Sequence, residues 1–352
     1  MKLENEKLDE WMAKIHPKQF PSNGTIDYSK RYQGIKEYLD NEVHPHINAM
    51  TLTFDDDIYL TKHGTEHIDV VIERVGQLAN TQKNDIELNP YEVYLLLVAI
   101  QFHDTGHIKN GRKGHEVLAS TIMTQLGVLL GNDTIEKKTI YQIAEAHGGR
   151  KANGRKDKIE DLPNIATILG KPVRVQMLAA LLRFGDELAD DSSRANKLLM
   201  NSGLLQPGSI IFHQYASSLH SVEVNHSGGE IILNYLLDRN QVHTKFDKKT
   251  DAGVIQVYLI DEIYERLFKM YLECIYCMRF IPYAVRINTI SAKITFTEND
   301  SFVDFSDPIA IKLTEKGYPK IIPNDLYDLC PESLIIDGKK IDGLYLDSTL
   351  KH

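Results

Sequence analysis

Fourteen histidines occur in the 352 residues, and six of them lie between positions 63 and 147: His63, His67, His103, His107, His115 and His147. Four continue apolar stripes of helical spacing. His67 extends the stripe of Val70, Val71, Val75 and Leu78. His103 follows Leu96, Ala99 and Ile100, His115 precedes Leu118, Ala119, Ile122 and Leu126, and His147 closes Ile140, Ile143 and Ala144. Asp186, eight residues after Leu178 and four after Leu182, points the same way. A single imidazole on an apolar face is ordinarily a hydrogen-bonded core residue. Five inward-facing polar groups on five successive helices each need a partner, because burying them unpaired is costly. One shared divalent cation satisfies them all. Imidazole with carboxylate suits manganese, iron, cobalt, nickel or zinc better than calcium, and magnesium stays within reach of the carboxylates.

The segment Phe102-His103-Asp104-Thr105-Gly106-His107 sharpens this reading. Adjacent residues on a helix diverge by about 100°. His103 and Asp104 therefore meet one ion only at a helix end or bend, and Thr105-Gly106 supplies that end.

The elements that must position these groups are mostly helices. Periodicity predicts helices over 31–42, 63–80, 90–104, 113–130, 134–147 and 172–200, with Pro90 and Pro172 at first-turn positions. Residues 1–15 read as an amphipathic helix around Trp11, fit to cap the core or to dock elsewhere, and 16–30 as a loop. After about 204 the pattern turns to strands, with Gly228-Gly229 as a hairpin turn. It returns to helix over 251–279 and then to an alternating strand in RINTISAKITFTEND. The expected architecture is mainly α: an N-terminal arm over 1–30, a helical bundle over 31–203, and a smaller α+β accessory domain over 204–352. Helix 251–279 carries more apolar surface than a small sheet needs, so part of it is expected to pack on the bundle or on a second subunit.

Composition sets outer bounds. The chain is 42% hydrophobic and 25% charged, with net charge −9, which disfavours a dedicated nucleic-acid binder. No apolar run is long enough for a bilayer and the N-terminal residues are charged, so neither a membrane anchor nor a secretory signal is expected. The three cysteines point to a reducing, cytoplasmic setting without a disulfide framework. Cys274 and Cys277 form a CxxC that could be a redox pair or half a zinc site. With no second pair to complete a tetrahedron, two small apolar residues on a buried helix face is the better reading.

The ordered set of His67, the His103-Asp104 doublet and Asp186 resembles the H…HD…D signature of the HD superfamily of metal-dependent phosphohydrolases. The resemblance covers roughly 55–200 and implies a helical bundle in which these four residues hold a divalent metal. HDTGH is similar to a segment of deoxynucleoside triphosphate triphosphohydrolases, where the histidine after the glycine works at the active site; His107 takes that place. The following IKNGRKGHE departs from the proline-containing run of those enzymes. His115 and His147 fall where two-metal members, such as cyclic-dinucleotide phosphodiesterases, place extra histidine ligands, although the GYP motif of one such group is absent. YLTKHGTEH and LLRFGDELADDSSR resemble bacterial HD modules of conflict and defence systems, in which an α+β segment commonly follows the helices.

The resemblance implies hydrolysis of a phosphate ester or anhydride, with one ion on the first four residues. His115 and His147 either add a second ion or join His107 in acting on substrate. Substrate phosphate needs cations. Arg112, Lys113, Arg150, Lys151, Arg155 and Lys156 are the candidates, the last four in a polar loop that a solvated surface would equally explain. Arg183 and Arg194 flank Asp186 and could instead pair with Glu187, Asp190 or Asp191. His63, one turn before His67, reads as a residue of the site's rim or as a support to a ligand, not as a ligand itself. His213, His220, His226 and His243 read as surface positions. The expected partner is a phosphorylated small molecule, a nucleotide above all, with a homo-oligomer in keeping with the family. Competing readings are a single-strand nuclease and a nucleotide-sensing module without turnover.

Overall fold

A computed structural model describes residues 7–50, 61–79, 86–110, 114–250, 252–298, 301–302, 307–315 and 323–350. It is mainly helical, with a smaller mixed sheet in the C-terminal part. The helices are α1 (Leu8–Ala13), α2 (Tyr28–Glu42), α3 (His44–Met50), α4 (Thr65–Leu78), α5 (Pro90–Phe102), α6 (His107–Asn110), α7 (His115–Leu126), α8 (Thr134–Glu145) and α9 (Val175–Glu187). They are followed by α10 (Lys197–Ser202), α11 (Pro207–Ser218), α12 (Arg239–Val242) and α13 (Leu259–Met278). The chain divides into two compact units. The first combines 62–189 with the N-terminal segment and 276–286; the second combines 190–275 with the chain from 287 onward. The division therefore comes at 189/190, earlier than the change of pattern near 203, and it falls a second time inside α13.

In the first unit α5 is the central helix. Its sequence PYEVYLLLVAIQF is apolar almost all round, which suits only a helix buried on every side. Every residue from Tyr91 to Phe102 is buried, and α1, α2, α4, α8 and α9 pack on it. Each fully buried Leu or Val contributes about 1.5–3 kcal/mol of transfer free energy. α1 buries Leu8, Trp11 and Met12, so Trp11 caps the core.

The start of α5 is fixed by Pro90 at N1 and by a capping box between Asn89 and Glu92. Buried Glu92 also accepts hydrogen bonds from Arg174 Nε (2.8 Å) and Nη2 (2.6 Å) and from the Arg174 backbone N–H (3.0 Å). Arg174 is the N-cap of α9. One ion pair thus ties together the starts of the two helices that lead to His103-Asp104 and to Asp186. Losing one partner of such a buried pair ordinarily costs about 3–5 kcal/mol.

Several sequence expectations need correcting. The stretch 172–200 is not one helix. Pro172 lies in a short strand, β2 (Lys171–Val173), paired antiparallel with β1 (Ala166–Ile168), and α9 runs only from Val175 to Glu187. Beyond it, the Asp191 side chain accepts from the Ser193 N–H and turns the chain. The start of the region read as strands is α11, because Pro207 opens a helix and Ile211 and Tyr215 recur one turn apart on its buried face. His213 is accordingly buried, not at the surface, and its Nδ1 accepts from the Asn196 N–H at 3.2 Å. His220 is exposed, and His226 and His243 are half-buried. Residues 253–258 of the expected helix 251–279 are strand, so the helix starts at Leu259.

The second unit holds a sheet of β3 (Leu219–Asn225), β4 (Glu230–Asp238), β7 (Thr289–Glu298), β8 (Ser301–Phe302) and β9 (Ile309–Thr314), and a separate antiparallel pair of β5 (Lys245–Thr250) and β6 (Gly253–Tyr258). Strands β3 and β4 are joined through Gly228-Gly229, the expected hairpin turn. β4 and β7 run parallel, so the chain needs a crossover between them, and α13 lies in it. Cys274 and Cys277 are buried on that helix and form no disulfide.

Gly185, on α9, sits where a Cβ would collide with the Val75 side chain of α4. Close approach of α4 and α9 brings His67 towards Asp186. Gly185→Ala should force these helices apart and lower stability by about 1–3 kcal/mol, the usual cost of overpacking, measured by urea denaturation. An unchanged midpoint would show that this spacing is not tight.

Candidate metal centre

α5 ends at Phe102, two residues before the expected boundary, so the His103-Asp104 doublet occupies a turn. The Thr105 N–H and hydroxyl both donate to the Phe102 carbonyl, at 3.1 and 2.8 Å, and the His107 N–H donates to the Asp104 carbonyl at 3.0 Å. The turn removes the helical divergence of the two side chains. Gly106 is needed here for a steric reason: a Cβ would collide with the carbonyl of His115, the first residue of α7.

Asp104 is buried, and its two oxygens face different sets of residues. Oδ2 lies 3.5 Å from His67 Nε2, 3.4 Å from His103 Nε2 and 2.8 Å from His63 Nδ1. On the same side, Asp186 Oδ1 is 3.1 Å from His67 Nε2 and 3.6 Å from His103 Nε2. Oδ1 of Asp104 lies 3.3 Å from His115 Nε2, 3.5 Å from His107 Nε2 and 3.6 Å from His147 Nε2. His115 and His147 bring their Nε2 atoms to 3.1 Å from each other. Three overlapping groups have donors close enough to hold an ion: His67, His103, Asp104 and Asp186; Asp104, His115 and His147; and His63, Asp104 and His107. Asp104 belongs to all three.

The local fold turns the key imidazoles inward. His103 Nδ1–H donates to the Ile100 carbonyl at 2.7 Å, and His147 Nδ1–H donates to the Ala144 carbonyl at 2.5 Å. Each bond keeps a proton on Nδ1 and turns Nε2 toward Asp104, the nitrogen the neutral ring would offer a metal. The Nε2 atoms of His67 and His103 are buried and make no hydrogen bond. Burial alone would raise the pKa of Asp104, but His103, His63 and His107 outweigh it and hold the carboxyl well below its ordinary range. Burial acts the same way on Asp186 and is again outweighed, here by His103 and His67. For His147 burial prevails and depresses the imidazole, which favours the neutral form a metal requires.

These residues fit a divalent cation. Donors about 2.0–2.1 Å from one ion stand about 2.8–3.4 Å apart in tetrahedral or cis-octahedral arrangements, and the separations around each Asp104 oxygen fall close to that range. The buried, unbonded Nε2 atoms supply lone pairs, and two carboxylates supply the compensating charge.

The structure places the other candidates less uniformly. Arg112 and Lys113 lie outside the described residues. Arg150 Nη1 donates to the Gly154 carbonyl at 2.9 Å. Lys151 pairs with Asp161 (2.6 Å) and Asp157 (3.2 Å), and Arg155 pairs with Asp157 (2.6 Å). Lys156 is exposed, and its carbonyl accepts from Arg183 Nη1 at 2.8 Å. Arg183 also lies over the Tyr276 ring, while Arg194 pairs with Asp190 at 3.7 Å. His63 stands against the cluster, with Nδ1 2.8 Å from Asp104 Oδ2. Sequence reasoning missed Glu116 and Lys158. Lys158 Nζ lies 3.4 Å from Glu116 Oε1, and Glu116 Oε2 lies 3.6 Å from His115 Nδ1. The acidic residue directly following His115 was the available signal.

A helical unit whose HD turn gathers histidines and a second aspartate about one carboxylate defines an HD-type domain. The HD-CE family model matches residues 54–269, more than half of the chain, and the chain belongs to that family. Neither the search of curated proteins nor the search of solved structures found a match.

Replacing Asp104 with Ala removes the carboxylate common to every donor group. Reconstituted wild-type protein should carry divalent metal by elemental analysis and Asp104→Ala should retain almost none. A variant that keeps the wild-type metal content would dissociate Asp104 from metal binding.

Proposed function

We propose that this protein is a metal-dependent phosphohydrolase acting on a phosphate ester or anhydride of a nucleotide or nucleotide-derived small molecule. The observation that carries the reading is the division of donors between the two oxygens of Asp104, which suits two transition-metal ions bridged by one carboxylate. Such ions supply Lewis acidity, lowering the pKa of water to make a nucleophile and polarising the phosphoryl group.

The protein's own residues have separable tasks in this reading. His67, His103, Asp104 and Asp186 would hold one ion, and Asp104, His115 and His147 the other. His63 and His107, whose ring centroids are 4.5 Å apart, border the same carboxylate and are placed to meet substrate phosphate or its leaving group. The net charge of −9 favours a small anionic substrate, delivered to a local cationic centre, over extended nucleic acid. Loop cations Arg150, Lys151, Arg155 and Lys156 serve as auxiliary phosphate contacts. For Lys151 and Arg155 this requires exchange of their present partners, Asp157 and Asp161.

The test is a matrix of divalent metals against nucleoside mono-, di- and triphosphates, cyclic nucleotides and single-stranded DNA. Turnover of a small nucleotide that disappears on chelation supports the proposal. Degradation of DNA alone favours a nuclease, and tight nucleotide binding without turnover favours a sensor.

Two variants refine the account. His147→Ala should lower metal stoichiometry from about two towards one while preserving the first ion. Unchanged stoichiometry would remove His147 from the metal set. Replacing Arg150, Lys151, Arg155 and Lys156 together with Ser should raise KM, and should also lower the melting temperature somewhat, because the Lys151–Asp157 pair it breaks is largely covered, with side chains 19% and 13% exposed. Unaltered kinetics would assign the loop to the solvated surface.

A further inference from the structure

His115 and His147 stand on different elements, at the start of α7 and just after α8. Each has a carboxylate beside it in sequence: Glu116 follows His115, and Glu145 precedes His147 by two positions. Lys158, in the loop that follows His147, reaches both. Its Nζ lies 3.4 Å from Glu116 Oε1 and 3.7 Å from Glu145 Oε1. Lys158 is largely buried, with its side chain 12% exposed, and Glu116 is 8% exposed. A carboxylate this enclosed needs a compensating cation, and Lys158 is in contact with it.

The backbone is shaped around this arrangement. Gly149 has φ +71°, and a Cβ there would collide with the Glu116 carboxylate. The chain leaving His147 therefore passes close over Glu116 before it returns with Lys158. The loop is held on its other side as well: the Ile159 N–H donates to Tyr276 Oη at 3.0 Å, and Gln176 Nε2 donates to the Ile159 carbonyl at 3.3 Å.

Glu116 also acts on His115. Its Oε2 lies 3.6 Å from Nδ1, too far for a hydrogen bond but close enough for a strong local field. A lone pair on Nδ1 would face negative charge, whereas an N–H there is attracted. An ion taking the Nε2 lone pair of His115 would leave the ring proton on Nδ1, where Glu116 attracts it.

We infer that Lys158, bridging Glu116 and Glu145, is a positioning residue that assembles the second ion's subsite by fixing the spacing and orientation of His115 and His147. This rests on the reading of the cluster as a two-ion centre. Lys158 touches neither ion nor substrate in this account; it acts through the two carboxylates.

The test is calorimetric titration of the full-length, metal-stripped protein with Mn²⁺. Wild type should bind two ions. Lys158→Met, which keeps the length of the side chain and removes its charge, should bind the first with unchanged affinity and the second about 10–100-fold more weakly, the usual effect of removing a residue that orients a ligand. Lys158→Arg should recover most of the loss. Equal second-ion affinity in Lys158→Met and wild type would overturn the inference. So would parallel weakening of both ions, which would mark general destabilisation. Should Lys158→Met fail to fold, Glu145→Gln removes one contact at a site 31% exposed and should weaken the second ion selectively; no change would overturn the inference. Wild type that binds no metal would defeat the underlying two-ion reading itself, a result distinct from loss of selectivity in the variants.

Discussion

The site depends on one buried carboxylate whose two oxygens face opposite groups of imidazoles. Asp104 could not remain charged in this interior without nearby positive charge, and His103, His63 and His107 supply the attraction that outweighs burial. A cation on either side would serve the same electrostatic need while also satisfying the unbonded nitrogens of His67 and His103. Much of the surrounding fold can be understood as bringing these helix ends to one point. Arg174 and Glu92 join the starts of α5 and α9, Gly106 admits α7 to the HD turn, and Gly185 admits α4 to α9.

Part of this was legible in the sequence because cost and period act locally. Polar groups on apolar stripes at His67, His103, His115, His147 and Asp186 needed an interior partner, and adjacency of His103 and Asp104 required a helix end. The end comes after Phe102. Other features depended on contacts distant in sequence. Pro172 suits a helix start by local rules but pairs in a strand, and Arg174, held by Glu92 of α5, caps the helix two residues later. His213 looked peripheral because its segment seemed to be strand; the recurrence of Ile211 and Tyr215 from Pro207 was the helical signal, and it buries the imidazole. Lys158 was one cation among several in a polar loop. Only the return of that loop towards Glu116 and Glu145 distinguishes it.

In the loop after His147, cationic composition and available cationic charge differ. Its Arg and Lys residues are candidates for substrate phosphate, yet Lys151 and Arg155 are already engaged by Asp157 and Asp161, and Lys158 is turned inward. Acidic residues within the same stretch neutralise much of its field. Any contribution to substrate binding must therefore compete with these local pairs, and the strongest electropositive element of the proposed site is the metal centre itself.

The central claim is most directly tested by anomalous X-ray scattering from crystals of the wild-type protein loaded with Mn²⁺. Two anomalous peaks about 3.5–4 Å apart, one beside each oxygen of Asp104 and reached respectively by His67, His103 and Asp186 and by His115 and His147, are the predicted result. No peak at Asp104 at saturating Mn²⁺, or metal bound only away from these residues, would contradict it.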